Sequence, residues 1–174
     1  YLQQEPPECK LPPENFLNLV YCIISPFKLN HPVKQHITYT PLQWTYDLNI
    51  DYSIKTGHSI SLANKIDLKG IKEMKIPEKN RLCSFIFSNK SFLPGHRKRM
   101  EFAKRIIDHF KNKIDYYGFG FNDIKNKKDA IDPYHFSIAI ENSNHYNYWT
   151  EKLADVYLGY SYPIYYGCKN INKF

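Results

Sequence analysis

The sequence predicts an α/β fold built on a parallel sheet of the nucleotide-binding type. Between residues 82 and 166, apolar and amphipathic segments alternate in the order strand, helix, strand, strand, helix, strand. The apolar segments are short and nearly continuous, which is typical of parallel strands buried on both faces. Sheets of this type bind ligands outside the carboxyl ends of their strands. We therefore expect a site at residues 89–99, 118–121, 141–152 and Gly167.

Two short strands and then a long irregular stretch are predicted for the first half of the chain. The strands are Tyr1–Gln4, which leads into a proline-rich loop, and Leu19–Ile24, which a Ser-Pro pair ends. Residues 31–80 show little periodicity, with loop signals at Pro41 and Gly57. We expect irregular structure over this stretch, leading into a linker at Lys69–Lys79.

The second half of the chain has clear periodicities. Apolar residues recur at helical spacing from Met100 to Phe110 and predict a helix over Arg97–Lys113. A second helix is predicted over Thr150–Leu158, with Thr150 as its N-cap. The predicted strands are Leu82–Ser88, Ile114–Tyr117, Tyr134–Ile140 and Pro163–Tyr166.

Composition narrows the class of protein. The chain has 174 residues, 43% of them hydrophobic, which is enough to bury a core. Its net charge is +7, and the surplus lies almost wholly in residues 81–174. A basic half favours an anionic partner such as a phosphate, a nucleic acid or an acidic membrane surface; a merely solubilising surface is the alternative. The four cysteines and seven histidines have no metal-ligand spacing, so we expect no metal site.

The segment from Ile140 to Lys152 has the pattern of an anion site. A buried strand ends at Glu141, a polar loop follows, and a helix begins after Thr150. A helix N-terminus presents free N–H groups and the positive end of the helix dipole, so a lysine in the first turn is unfavourable unless it shares an anion with those groups. Glu151 can accept hydrogen bonds from ribose or sugar hydroxyls. The alternative is an ordinary strand–loop–helix with a surface lysine.

Two further residues are candidates for the chemistry. Arg99 lies in the first turn of the predicted helix after the first strand of the second half, and its forked guanidinium suits a diphosphate. A solvated basic helix start is the alternative. Glu5 ends a predicted strand in front of two prolines, where a carboxylate can be a positioned general base.

Three blocks of the second half resemble the α-1,3/4-fucosyltransferase family, glycosyltransferase family 10. That family has a strand ending Phe-Glu-Asn-Ser/Thr, then Tyr-x-Thr-Glu-Lys and a helix, then a Pro-x-x-x-Gly strand. The matching blocks are Phe136–Ser143, Tyr148–Leu153 and Pro163–Gly167, with Ile140 in place of the family's phenylalanine. Phe85–Asn89 and Arg99–Phe102 are similar to an upstream strand and an Arg-x-x-Phe helix start, and Gln4–Pro7 resembles, more weakly, the segment carrying the proposed base.

The resemblance implies a role for each candidate residue. Arg99 and Lys152 would neutralise the diphosphate of the donor. Asn142, Tyr148 and Glu151 would hold other donor groups, with Glu151 on ribose or fucose hydroxyls. Glu5 would remove the proton of the acceptor hydroxyl.

The resemblance also implies the architecture. The family fold is GT-B, in which two Rossmann-like domains face a cleft. Residues 1–75 would be part of the acceptor-side domain and a linker. Residues 76–174 would be the domain that binds the GDP-sugar, and we expect it to be cut short at its C-terminus.

The function expected from the resemblance is metal-independent, inverting transfer of fucose from GDP-fucose to a hydroxyl of a glycan, with no cofactor beyond the donor substrate. The expected acceptors are glycans of N-acetyllactosamine type or of lipopolysaccharide and other surface glycans. The alternatives are transfer from another nucleotide sugar and a basic nucleic-acid-binding module. We expect no nucleic acid partner. An abundance of Lys, Asn and Ile indicates an AT-rich genome, which favours a bacterial or viral source over a Golgi enzyme. We expect a cytoplasmic or peripheral membrane location, or the Golgi if the source is a eukaryote.

Overall fold

The second half of the chain forms a four-stranded parallel sheet in the computed structural model, which describes residues 1–39, 44–51, 59–61 and 66–174. Its strands are β5 (Arg81–Ile86), β6 (Asp115–Tyr117), β7 (Tyr134–Ile140) and β8 (Tyr162–Tyr166), in the order β6-β5-β7-β8. Every neighbouring pair is parallel, with Phe85 beside Ile138 and Ile140 beside Tyr166. The predicted α/β class with a parallel sheet is confirmed.

Helix α3 (Pro94–Phe110) covers one face of this sheet. Its side chains pack on alternate residues of β5 and β7 because successive strand residues point to opposite faces. The contact buries Phe85, Ile138 and Ala103, among others, in one apolar cluster. The helix begins three residues before the predicted start at Arg97, since Pro94 is suited to the first turn of a helix. It ends at Phe110, because Lys111 takes a positive φ of 47°.

Helix α4 (Glu151–Leu158) connects β7 to β8 and packs against both strands. Thr150 is its N-cap, as predicted, and the Thr150 hydroxyl accepts a hydrogen bond from the N–H of Lys152. Leu153 and Val156 are buried. Helix α4 therefore holds the Thr150–Lys152 segment at the carboxyl end of β7.

The first half of the chain has more regular structure than its sequence predicts. A parallel pair is formed by β1 (Cys22–Ser25) and β2 (Lys34–Ile37), and an antiparallel pair by β3 (Asn49–Asp51) and β4 (Ser59–Ser61). The short helices are α1 (Glu14–Leu17) and α2 (Leu68–Glu73). The expectation of irregular structure over residues 31–80 is therefore wrong in the described part. Pro41 and Gly57 lie outside the described residues.

The errors in the first half have identifiable causes. Strand β2 is mostly exposed, so it lacks the apolar pattern that predicts a strand, and its pairing with β1 defines it instead. Tyr1–Gln4 forms only a single bridge, from Leu2 to Ile24, and not a strand. Part of the expected linker at Lys69–Lys79 is helix α2, whose first turn is capped by the Asp67 side chain at 2.7 Å from the Gly70 nitrogen. Within the described residues, no helix has the length and apolar character needed to cross a membrane.

Candidate nucleotide-sugar site

Two glycines allow close approaches at the carboxyl edge of the sheet. A Cβ at Gly95, in the first turn of α3, would lie 1.7 Å from the carbonyl oxygen of Asn142. A Cβ at Gly118 would lie 2.0 Å from the carbonyl oxygen of Phe87, and Gly118 has a φ of +120°, a conformation that favours glycine. These contacts bring the start of α3 and the loop after β6 against the ends of β7 and β5.

Glu141 fixes the start of α4. Its side chain is fully buried at the end of β7, and its carboxylate accepts hydrogen bonds from the Thr150 N–H at 2.8 Å and from the Thr150 hydroxyl at 2.7 Å. Lys152 Nζ lies 3.6 Å from the same carboxylate. A buried carboxylate is stable only when it is hydrogen-bonded and paired, and these three groups provide that. No role is predicted for Glu141 from the sequence, although an acidic residue directly after a buried strand indicates a functional position.

Glu151 and Lys152 form an ion pair at 3.2 Å in the first turn of α4. Burial raises the pKa of Glu151, but the nearby Lys152 and Lys127 cations outweigh it and hold that pKa at about 2. Burial acts to lower the pKa of Lys152, but the charges of Glu151 and Glu141 outweigh this effect of burial, so the pKa of Lys152 is raised. Both side chains are therefore charged at neutral pH.

Arg99 is buried beside this pair. It is only 7% exposed, it donates a hydrogen bond from Nη1 to Asn142 Oδ1, and Nη2 lies 3.5 Å from the Ser88 hydroxyl. Its Nε has no hydrogen-bond partner within the described residues. Burial lowers the pKa of Arg99, and the charges of Glu141 and Glu151 act against that. A buried guanidinium with an unpaired N–H is suited to an anion.

Tyr148 is buried in the loop before α4. Its ring centre lies 5.6 Å from that of Phe27, so it contacts the first half of the chain. Burial, and then the charges of Glu141 and Glu5, raise the pKa of Tyr148. Tyr148 is thus a neutral phenol near neutral pH. The charge of the predicted base, Glu5, acts on this phenol.

Asp155 ties α4 to the first half of the chain. Its carboxylate accepts hydrogen bonds from the Thr45 N–H at 2.7 Å and the Thr45 hydroxyl at 2.6 Å. It also forms an ion pair at 2.9 Å with Lys127, whose Nζ lies 4.0 Å from Glu151. Neither Asp155 nor Lys127 is predicted from the sequence to belong to the site. Asp155 could have been found from its spacing, because it lies four residues after Glu151 on the same face of the helix. No local pattern indicates Lys127.

The carboxylate of Glu8, from the first half of the chain, contacts the loop after β7. It accepts a hydrogen bond from the Ser143 hydroxyl, and His145 Nε2 lies 3.2 Å from both of its oxygens. Glu5, three residues earlier, has an exposed side chain. Burial raises the pKa of Glu8, and the hydrogen bond from Ser143 and the charge of His145 outweigh it, so this pKa is lowered. Glu8 is therefore held ionised by its contacts, and it is not among the residues predicted from the sequence.

Two cavities meet at Arg99. The smaller, of about 140 Å³, is lined by Ser88, Arg99, Gly118, Lys127, Glu151 and Lys152, among others. The larger, of about 520 Å³, is lined by Glu8, Gly95, Lys98, Arg99, Asn142 and Tyr166, among others. Both lie at the carboxyl edge of the sheet, where the sequence predicts a site. Within the described part of the chain, no group of three or more His, Cys, Asp or Glu side chains is arranged to hold a metal ion.

The structure brings the predicted donor residues together. Arg99 contacts Asn142, Lys152 contacts Glu151, and the charge of Glu151 acts on Arg99. Tyr148 lies in the loop just before α4, two residues ahead of Thr150. The predicted base, Glu5, lies near Tyr148 but is not among the residues that line either cavity. The role of each of these residues stays a prediction.

Comparison with known proteins identifies a family and a fold. Residues 76–174 match the sequence model of glycosyltransferase family 10 (fucosyltransferase), C-terminal part. An alpha-(1,3)-fucosyltransferase, FucT of Helicobacter pylori, is 39% identical over 54 residues, which are 31% of this chain and 11% of that protein.

Solved structures of alpha1,3-fucosyltransferase have a similar fold. One crystal structure with GDP-fucose matches with a TM-score of 0.55 and 20% identity over 99% of this chain and 54% of its own. Another, with GDP, matches with a TM-score of 0.56 and 22% identity over 99% of this chain and 53% of its own. The chain thus spans about half the length of these proteins. The GT-B-like fold expected from the sequence is confirmed over the part covered, while the boundary between residues 1–75 and 76–174 stays a prediction.

Proposed function

This chain belongs to glycosyltransferase family 10 (fucosyltransferase), and on that premise we propose that it transfers fucose from GDP-fucose to a hydroxyl of a glycan. The transfer inverts the anomeric configuration, requires no metal ion, and uses a carboxylate as general base. One observation carries the proposal: the buried Arg99, with an unpaired Nε, lies between two cavities near Lys152. Its guanidinium and the Lys152 ammonium provide the positive charge that a nucleoside diphosphate needs.

The leaving group explains why the site is cationic. When the bond between the anomeric carbon and the diphosphate breaks, negative charge builds on the GDP oxygens. Arg99, Lys152 and the free N–H groups at the start of α4 stabilise that charge. They are fixed before the reaction by Asn142 and Glu141, so little reorganisation is needed as the charge develops.

Donor orientation is assigned to three further residues. The Glu151 carboxylate, ionised and in the wall of the smaller cavity, accepts hydrogen bonds from ribose or fucose hydroxyls. Asn142, in the wall of the larger cavity, has an amide that can bind the donor beside Arg99. Tyr148 contributes a neutral phenol ring next to Phe27.

Glu5 is proposed as the general base. The acceptor oxygen attacks the anomeric carbon from the face opposite the diphosphate, its proton passes to the Glu5 carboxylate, and GDP leaves with the bonding electrons. Inversion follows from this single displacement. Glu8 is the less suitable base because Ser143 and His145 already contact its carboxylate and its pKa is lowered. We assign Glu8 to holding the 143–145 loop.

A donor panel tests the proposed function. GDP release and product mass are measured with GDP-fucose, other GDP-sugars and UDP-sugars, against acceptors of N-acetyllactosamine type and surface glycans. We expect transfer from GDP-fucose, unchanged by a metal chelator. Transfer only from another nucleotide sugar would replace the proposed donor with that sugar, which is the second candidate function. If no nucleotide sugar binds the folded chain, the proposal fails.

A lysine pair provides the matched control. Lys152→Ala removes the ammonium next to Arg99, and we expect GDP-fucose binding to weaken by about 1.5–3 kcal/mol, the usual value of a charge-assisted hydrogen bond. Lys104→Ala removes an exposed lysine of α3 and leaves binding unchanged. An equal effect of both variants would mean that Lys152 acts only through net charge.

Binding of RNA or DNA tests the alternative of a nucleic-acid-binding module. Nucleic acid binding that weakens steeply with salt, in a chain that does not bind GDP-fucose, would favour that alternative.

A further inference from the structure

His96 is a buried histidine that the proposed chemistry does not use. It lies in the first turn of α3, three residues before Arg99, and is 8% exposed. Its ring packs edge-on against Phe92, with 5.9 Å between the ring centres. Its Nδ1 is buried and has no hydrogen-bond partner among the residues that the structure describes. A buried nitrogen without a hydrogen-bond partner lowers the stability of the fold, so a histidine is expected at such a position only where it has a function.

The charges of three cations act on this imidazole. Arg99 lies on the same helix, Lys90 on the loop after β5, and Lys152 on the first turn of α4. Burial and then these three positive charges lower the pKa of His96, so it is neutral in the free protein at neutral pH. The acidic groups of the site, Glu141 and Glu151, are paired with Lys152.

A bound diphosphate would reverse this balance. Its negative charges, placed between Arg99 and Lys152, would cancel the repulsion that these cations exert on a protonated imidazole. Protonation turns both ring nitrogens into donors and gives the ring a positive charge, which a diphosphate next to Arg99 would attract through space.

We propose that His96 takes up one proton from solvent when a nucleoside diphosphate-sugar binds, which makes donor binding proton-linked and adds a further positive charge near the site. The inference rests on the proposed function, since it requires the diphosphate to bind next to Arg99 and Lys152. No covalent bond changes in this step. The proton is released again when the nucleotide leaves.

Proton linkage has a definite sign. Between the pKa of His96 in the free protein, which is below its ordinary 6.5, and its higher value in the complex, binding consumes a proton. Over that window the dissociation constant rises with pH, by up to about tenfold per pH unit for one full proton. Below and above the window it is constant.

Calorimetry with GDP-fucose and no acceptor tests the inference. Both phosphates of GDP-fucose are esterified, so the ligand keeps a fixed charge near neutral pH. Titrations at the same pH in PIPES and in imidazole, which differ in ionisation heat, give the number of protons taken up. We expect the unmodified protein to take up a proton, His96→Asn to take up none, and His109→Gln, which changes an exposed histidine of the same helix, to behave like the unmodified protein.

Histidine NMR provides a measurement that does not depend on a variant. The His96 ring signal is followed through a pH titration with and without GDP-fucose, and we expect its pKa to rise on binding. A bound state in which His96 stays neutral, or proton uptake that survives His96→Asn, overturns the inference and leaves the proposed function standing. Absence of GDP-fucose binding overturns both.

Discussion

The buried carboxylate of Glu141 accepts two hydrogen bonds from Thr150, one from its N–H at 2.8 Å and one from its hydroxyl at 2.7 Å. The same hydroxyl caps α4 by accepting from the Lys152 N–H. The end of β7 and the start of α4 are therefore one unit. The positions of Glu151 and Lys152 depend on it, because both follow Thr150 directly.

Thr150→Val tests this unit. The substitution keeps the side-chain shape but removes the hydroxyl, so Glu141 loses a hydrogen bond and α4 loses its cap. We expect unfolding in urea to become easier by about 1–3 kcal/mol. Thr150→Ser keeps the hydroxyl and should cost clearly less. Equal losses in the two variants would show that packing of the methyl group, and not the hydroxyl, matters here.

Arg99→Lys should weaken donor binding although the charge is kept. Lysine cannot reproduce the forked guanidinium that contacts Asn142 and, in the proposed complex, the diphosphate. We expect a loss of about 1.5–3 kcal/mol in GDP-fucose binding by calorimetry. Arg105→Lys, an exposed position on the same helix, is the control. A loss below about 0.5 kcal/mol for Arg99→Lys would remove Arg99 from the site.

Glu151 should make stability depend on pH in the acid range. Its folded pKa of about 2 is below the ordinary value of 4.5, so the unfolded chain binds the proton more tightly. Its contribution is therefore complete above pH 4.5 and is lost as the pH falls toward 2. We expect Glu151→Gln to cost about 1–3 kcal/mol at pH 6. In urea unfolding, the difference from the unmodified protein should shrink by pH 3; a difference that is constant over this range would contradict the ion pairs with Lys152 and Lys127.

Asp155→Asn should destabilise the contact between the two halves of the chain. The Asp155 side chain is 2% exposed, and its charge offsets that of Lys127, which is 15% exposed. Removing one partner leaves a largely buried charge, which costs about 3 kcal/mol. A double variant with Lys127→Met should lose less than the two single variants together. Strictly additive losses would mean that the two side chains are not coupled.

Glu5→Gln and Glu8→Gln should have different effects. If Glu5 is the base, its replacement lowers kcat by about 10²–10⁴-fold and leaves the binding of GDP-fucose unchanged. Glu8→Gln weakens the contacts with Ser143 and His145, so we expect a smaller loss of kcat and a lower free energy of unfolding. The reverse order of the two effects on kcat would transfer the role of base to Glu8.

Local patterns were sufficient for the second half of the chain. The strands near residues 82, 114, 134 and 163 and the helices near residues 97 and 150 lie where the sequence predicts them, within a few residues. Buried parallel strands are apolar throughout, and the helices have one apolar face, so each element is visible in its own residues. The first half has exposed strands such as β2, and their pairing partners are distant in sequence.

The residues of the site also fall into two groups, those that can be recognised in the sequence and those that cannot. The family blocks and the cationic candidates Arg99 and Lys152 can be recognised in the sequence, because a lysine in the first turn of a helix and an arginine at a helix start are local features. Three contacts are visible only in the folded chain: Arg99 with Asn142, Glu141 with Thr150, and Asp155 with Thr45. These pairs are brought together by the crossover connections of a parallel sheet and by the packing of the two halves. No local pattern encodes such contacts, because each depends on where other elements pack.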